Sequence, residues 1–209
     1  MKLVLASTSP RRREILSLLG VAFDVVEPEF EEQVLPHRSI EREVLDFAIG
    51  KARSVAPHHS KSIIVGSDTM ISLEGVKIGK PKNVQDAAGI LSSLSGKTHR
   101  ICTGVAIVDT SGGPGFTAIE EVSVGMRAYT MEEIDRYLAH AESLDKAGAY
   151  SIQGEGSKLI AVLRGDYLAA VGLPLRPIAH YLQRRGVSFP VDVDQLYREK
   201  AFLNWHRFA

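Results

Sequence analysis

Three consecutive arginines, Arg11, Arg12 and Arg13, follow Ser7-Thr8-Ser9-Pro10 near the start of the chain. Ser9 suits a helix N-cap and Pro10 the first helical position, so the arginines fall in a first turn. That end of a helix already carries about half a positive charge, and each added cation there costs about 0.3–1 kcal/mol. A bound anion would reverse the sign. Backbone N–H groups, the Ser7 and Ser9 hydroxyls and the guanidinium forks would all donate to a phosphate. The alternative is three solvated arginines on a surface helix.

Asp68 is the second anomaly. It lies in IIVGSDTMISL, whose apolar flanks predict a strand crossing the core, with the carboxylate at a strand end. Aspartate is depleted in strands and costly to bury unless paired or metal-bound. It is suited to metal ligation or general-base work, or else to capping a turn. Lys51 keeps helical register with Val44, Ala48 and Val55, which puts it on an apolar stripe. There a lysine either snorkels to solvent or faces a buried anion. Lys80, before Pro81, reads on its own as solvent-exposed. Glu31 and Glu32 are adjacent carboxylates in a loop, either solvated or able to hold a hard cation such as Mg²⁺ together with substrate phosphates. Gln153, in the glycine-containing and mostly apolar DKAGAYSIQG, could read a base edge through its amide or belong to a plain turn.

Other chemistries are disfavoured. The seven histidines form no HExxH pattern, and the single Cys102 allows neither an intrachain disulfide nor a cysteine-based zinc cluster. Gly96-Lys97-Thr98 imitates the end of a phosphate-binding P-loop, but Leu91 stands where the first glycine is required.

The elements that must position these residues alternate early. Lys2–Ala6 reads as a strand, followed by a helix closed at Gly20. Phe23–Val26 reads as a second strand, and an acidic loop marked by Pro28 and Pro36 follows. Residues 40–56 form an amphipathic helix, Ser62–Val65 continues through Met70–Leu73 as a strand, and Glu74-Gly75 turns into Val76–Ile78. Asn83 caps a helix to about Leu94. His99–Val108 and Thr117–Met126 form a hairpin around a glycine-rich loop. Thr130 and Glu133 make a capping box for a helix over Met131–Ala141. Lys158–Leu163 reads as a strand, Pro174–Arg185 as a helix, and Val171–Leu175 as a tight loop. The result is a mixed α/β sheet, with residues 1–189 as one domain and 190–209 as an appended tail or helix.

The whole chain fits this plan. It has 209 residues, 25 Lys+Arg against 25 Asp+Glu, and no net charge. That balance removes the bulk electrostatic reason to expect a long nucleic acid, so an anion site must come from local clustering. The start is too short in apolar residues for a signal peptide, and nothing approaches the roughly 18 apolar residues of a membrane span. Cysteine usage suits a reducing compartment, so the cytoplasm is the expected location.

Taken together, ASTSPRR at 6–12, EE at 31–32, KA at 51–52, GSDT at 66–69, GKP at 79–81, LSGKTH at 94–99, TGVAIV at 103–108, DKAGAYSIQG at 145–154 and VGLPL at 171–175 resemble the Maf family of nucleoside triphosphate pyrophosphatases. The resemblance runs in order over residues 2–185. It implies an elongated, twisted mixed sheet with two lobes around a central cleft, of the inosine triphosphatase type. It implies hydrolysis of a nucleoside triphosphate to monophosphate and pyrophosphate with Mg²⁺ or Mn²⁺. Asp68 matches the family's proton acceptor and a metal position, and Glu32 matches a second metal position. Ser7, Arg11, Arg12, Lys51 and Lys80 match cleft positions that bind substrate. Arg11, Thr69 and Gln153 are together similar to the subgroup acting on dTTP and UTP. The implied partner is a small nucleotide, with a homodimer as a candidate assembly. The alternative is a non-catalytic nucleotide-binding regulator of cell division. The chain departs from the family pattern at GDYLAAVGLPL and DFAIGKA, and its tail with Trp205 lies outside the resemblance.

Overall fold

The computed structural model describes residues 1–35 and 37–208. Pro36, read above as a loop marker, lies outside the described residues. The described residues form one seven-stranded mixed sheet. Its strands are β1 (Lys2–Ala6), β2 (Asp24–Val26), β3 (Ser62–Leu73), β4 (Val76–Ile78), β5 (Thr98–Asp109), β6 (Phe116–Met126) and β7 (Ile160–Arg164). The order is β2-β1-β3-β5-β6-β7, with β4 also paired to β3. β1 runs parallel to β2 and β3, and the other pairings are antiparallel.

The helices are α1 (Pro10–Ser17), α2 (Ile40–Val55), α3 (Val84–Leu94), α4 (Met131–Leu138), α5 (Tyr167–Val171), α6 (Leu175–Arg184) and α7 (Val193–Glu199). α2 covers one face of the sheet, over Val4, Ala6 and Ile64 on one side and Cys102 on the other. It comes unusually close because two strand glycines lie beneath it. A Cβ built on Gly66 would stand 2.3 Å from the Ala48 carbonyl oxygen, and one on Gly104 would stand 2.6 Å from that of Val44. The main core lies on the opposite face, with Leu5, Val65, Leu91, Val124, Leu168 and Ile178 all fully buried. The tail joins it through Val193, Phe202 and Trp205.

Three expectations are corrected, and one helix had no sequence reading. Asp68 is not at a strand end but inside a 12-residue strand. α4 stops at Leu138 rather than Ala141, because the chain turns there and Ala141 takes a left-handed φ of 54°. β7 starts at Ile160 because residues 155–159 are wound as a 3₁₀ turn. The apolar run before Leu173 contains α5, which is buried on every side and so shows no amphipathic period to read. No described helix is long and apolar enough to cross a membrane.

Candidate active site

A cleft of about 490 Å³ opens beside the C-terminal end of β1. Ser7, Arg11, Arg12, Glu32, Lys51, Asp68, Thr69, Lys80 and Gln153 all line it, although they come from six separated stretches of the chain. Lys80 is exposed at its rim, and Glu31 is not among its walls.

Strand alternation explains how one segment serves two walls. Successive residues of β3 point to opposite faces. Asp68 shares the α2 face with Gly66, while Ser67 and Thr69 point toward α5. Ser67 donates to the carbonyls of Gly104 and Gly172 at 2.9 and 3.0 Å. Thr69 and Thr103 hydroxyls lie 3.0 Å apart, and Thr103 also donates to the Ala169 carbonyl at 2.8 Å. Asp68 faces Gly104 across the β3–β5 ladder, a partner without a side chain. The close seat of α2 then delivers Lys51 to it.

Lys51 Nζ lies 2.6 Å from Asp68 Oδ1 and 2.5 Å from Glu32 Oε1. Of the two sequence readings, the buried anion is the one observed, with the lysine only 7% exposed. Burial raises the Asp68 pKa above its ordinary value, against the pull of Lys51 and Arg12. Glu32 is half-exposed. Burial pushes it up too, but its bond to Lys51, with Lys80 and Arg12 nearby, holds it below the usual carboxylate range. One ammonium thus bridges two carboxylates of opposite shift.

Glu32 reaches Lys51 because its loop is anchored two residues earlier. The Phe30 ring packs against Phe47 at 5.9 Å between centroids. It also occupies the space above Gly50, where a Cβ would meet it at 2.2 Å.

The arginines behave differently from one another. Ser9 caps α1 and accepts from the Arg12 N–H. Arg12 Nε donates to the Gly172 carbonyl at 2.9 Å, and its terminal nitrogens reach Thr69 Oγ1 at 3.4 Å and Ser7 Oγ at 3.5 Å. Among the described residues, Arg11 makes only a 3.9 Å pair with the exposed Asp145. Pairs of that kind contribute little, which leaves its fork available.

Also lining the cleft, the Gln153 amide nitrogen is buried without a hydrogen-bond partner among the described residues. Beside it stands Tyr150, whose hydroxyl lies 2.8 Å from His99 Nε2. Burial pushes the His99 pKa down to about 4, so the ring is a neutral buttress.

Sequence reasoning missed the Gly172 carbonyl, Tyr150, Lys146, which also lines the cleft, and the Phe30 anchor. VGLPL and DKAGAYSIQG pointed to the first three as segments, without identifying the contacts. The Phe30–Gly50 fit had no local signal.

The chain matches the model of the family described as Maf-like protein over residues 2–185. It is 43% identical over 187 residues to a dTTP/UTP pyrophosphatase of Moorella thermoacetica, covering 90% of this chain and 96% of that one. A dTTP/UTP pyrophosphatase of Bacillus cereus is 42% identical over 192 residues, with 92% of each chain covered. Among solved structures, the Staphylococcus aureus Ham1 protein superposes with a TM-score of 0.43 at 16% identity, over 60% of this chain and 72% of that one. From the family match and these identities, the chain belongs to the Maf family.

Proposed function

We propose that the chain hydrolyses dTTP and UTP to the nucleoside monophosphate and pyrophosphate. The observation that carries this reading is the cleft itself. It combines a buried Asp68–Lys51 pair bridged to the half-exposed Glu32, a cation-rich helix N-terminus and an amide donor left unpaired among the described residues. The names of the relatives agree with it.

The triphosphate lies along the N-terminus of α1, held by Ser7, Arg11, Arg12 and Lys80. Asp68, whose raised pKa makes it a better proton acceptor, takes the proton of a water attacking the α-phosphorus. Pyrophosphate leaves from the cationic end, where Arg11, Arg12 and Lys80 stabilise its developing charge.

The donor set also suits a divalent cation. Glu32 and Asp68 each engage Lys51 through one oxygen, which leaves each carboxylate a second oxygen for Mg²⁺ or Mn²⁺ alongside substrate phosphates. Among the described residues no larger cluster of His, Cys, Asp and Glu competes for it. Glu32 and Asp68 would hold the ion, and its chemistry would be charge neutralisation on the phosphates.

The Gln153 donor calls for an acceptor on the base. Uracil and thymine present the O4 carbonyl, where cytosine presents an amine. Thr69 shapes the neighbouring wall. Gln153→Glu replaces the donor with an acceptor. It should lower kcat/KM for UTP by roughly 10- to 100-fold and reduce the preference over CTP. Steady-state kinetics on UTP, dTTP and CTP test this, and an unchanged preference removes Gln153 from base recognition. Cys102, free and buried, suits the reducing cytoplasm as the place of work.

A further inference from the structure

We infer that the C-terminal segment, residues 192–208, is a clamp that sets the position of the base-reading loop, with Asn204 as its positioning residue. The inference rests on the reading of Gln153 as the base contact.

Residues 151–154 belong to no strand, so side-chain ties decide where they sit. Two ties come from the body and hold N–H groups. Tyr137 Oη accepts from Ser151 at 3.1 Å, and Glu142 Oε1 accepts from Gly156 at 3.0 Å. The tie on the carbonyl side comes from the tail. Asn204 Nδ2 donates to the carbonyl of Ile152, the residue before Gln153, at 2.8 Å. A second tail contact, Arg207 to Ser157 Oγ at 3.0 Å, holds the far end of the same loop.

Asn204 is itself firmly held. Its Oδ1 accepts from Tyr167 Oη at 2.5 Å. The neighbouring Trp205 stacks on Tyr167 at 5.4 Å and meets Tyr197 edge-on at 5.0 Å. Tyr197 donates to Asp166 Oδ2 at 2.8 Å. Asp166 and Tyr167 begin the α5 segment that ends at Gly172, the carbonyl partner of Arg12. A single amide therefore joins the base-side loop to the segment that buttresses the phosphate side. It is supplied by residues beyond 185, where the family match ends.

The test compares the full-length wild type with Asn204→Asp, which keeps the acceptor for Tyr167 and turns a carboxylate toward the Ile152 carbonyl. Gln195→Ala, an exposed change in α7, serves as the tail control. KM for UTP should rise about tenfold in Asn204→Asp while kcat stays within about twofold, as loss of one oriented hydrogen bond predicts. Amide hydrogen exchange over residues 151–157 should accelerate, and Gln195→Ala should match the wild type in both readouts. Lower thermal stability with unchanged KM and unchanged exchange over 151–157 would overturn the clamp. If the wild type hydrolyses no UTP, the proposed activity falls, and the exchange measurement alone decides the clamp. Asn204→Ser carries the same readouts if Asn204→Asp does not fold.

Discussion

Lys51 satisfies two carboxylates with one ammonium, and their linkage to pH has opposite signs. The lowered pKa of Glu32 contributes stability at neutral pH that is lost as pH falls through its folded value. The raised pKa of Asp68 favours folding only while the group is protonated, and that contribution is lost as pH rises through its folded value. In the proposed mechanism that cost has a use, because the same shift suits Asp68 to accept a proton. The acid limb of kcat/KM should therefore lie above the ordinary carboxylate range. Lys51→Met removes the cation that favours the ionised form, so the limb should move to higher pH and kcat/KM should fall by about 100-fold. A pH–rate profile checks both statements, and an unmoved limb would detach Lys51 from Asp68. At this scale the sequence was informative wherever a residue type clashed with its surroundings: arginines at a helix N-terminus, an aspartate within an apolar run, a lysine on an apolar stripe. It was silent about Gly172 and Asn204, which act through a backbone carbonyl and an ordinary surface-type amide.

At the scale of elements, the site depends on how closely α2 lies on the sheet. Gly66 and Gly104 give it room, and the period of β3 turns Asp68 under it while Thr69 faces the other wall. Gly66→Ala drives a Cβ into the α2 backbone. It should cost about 1–3 kcal/mol and separate Lys51 from Asp68, with a matching loss of activity. Gly89 sits in α3 with open space around it, and Gly89→Ala should instead stabilise by about 0.5–1 kcal/mol. Urea denaturation of the two variants tests the contrast, and equal effects would refute the packing argument. Caps and periods made most elements legible, as Ser9, Asn83 and Thr130 do at their helices. α5 was hidden because burial on every side erases periodicity. The early end of α4 was hidden because its turn uses an alanine in a left-handed conformation, where a glycine would have announced it.

At the scale of the whole molecule, the neutral total conceals segregation. Arg11, Arg12, Lys51 and Lys80 converge on one cleft with Glu32 and Asp68 among them, a local concentration of charge that suits the compact triphosphate proposed as substrate. The tail extends the same logic, because Asn204, far along the chain, ties down the Ile152 carbonyl next to the proposed base contact. The proposed chemistry is attack of water at the α-phosphorus of a pyrimidine triphosphate. It is tested most directly by single-turnover hydrolysis of UTP in ¹⁸O-water with Mg²⁺, followed by mass analysis of the products. Pyrophosphate should be the first product, with the label in UMP. Label in the pyrophosphate, or orthophosphate and UDP as first products, would contradict it.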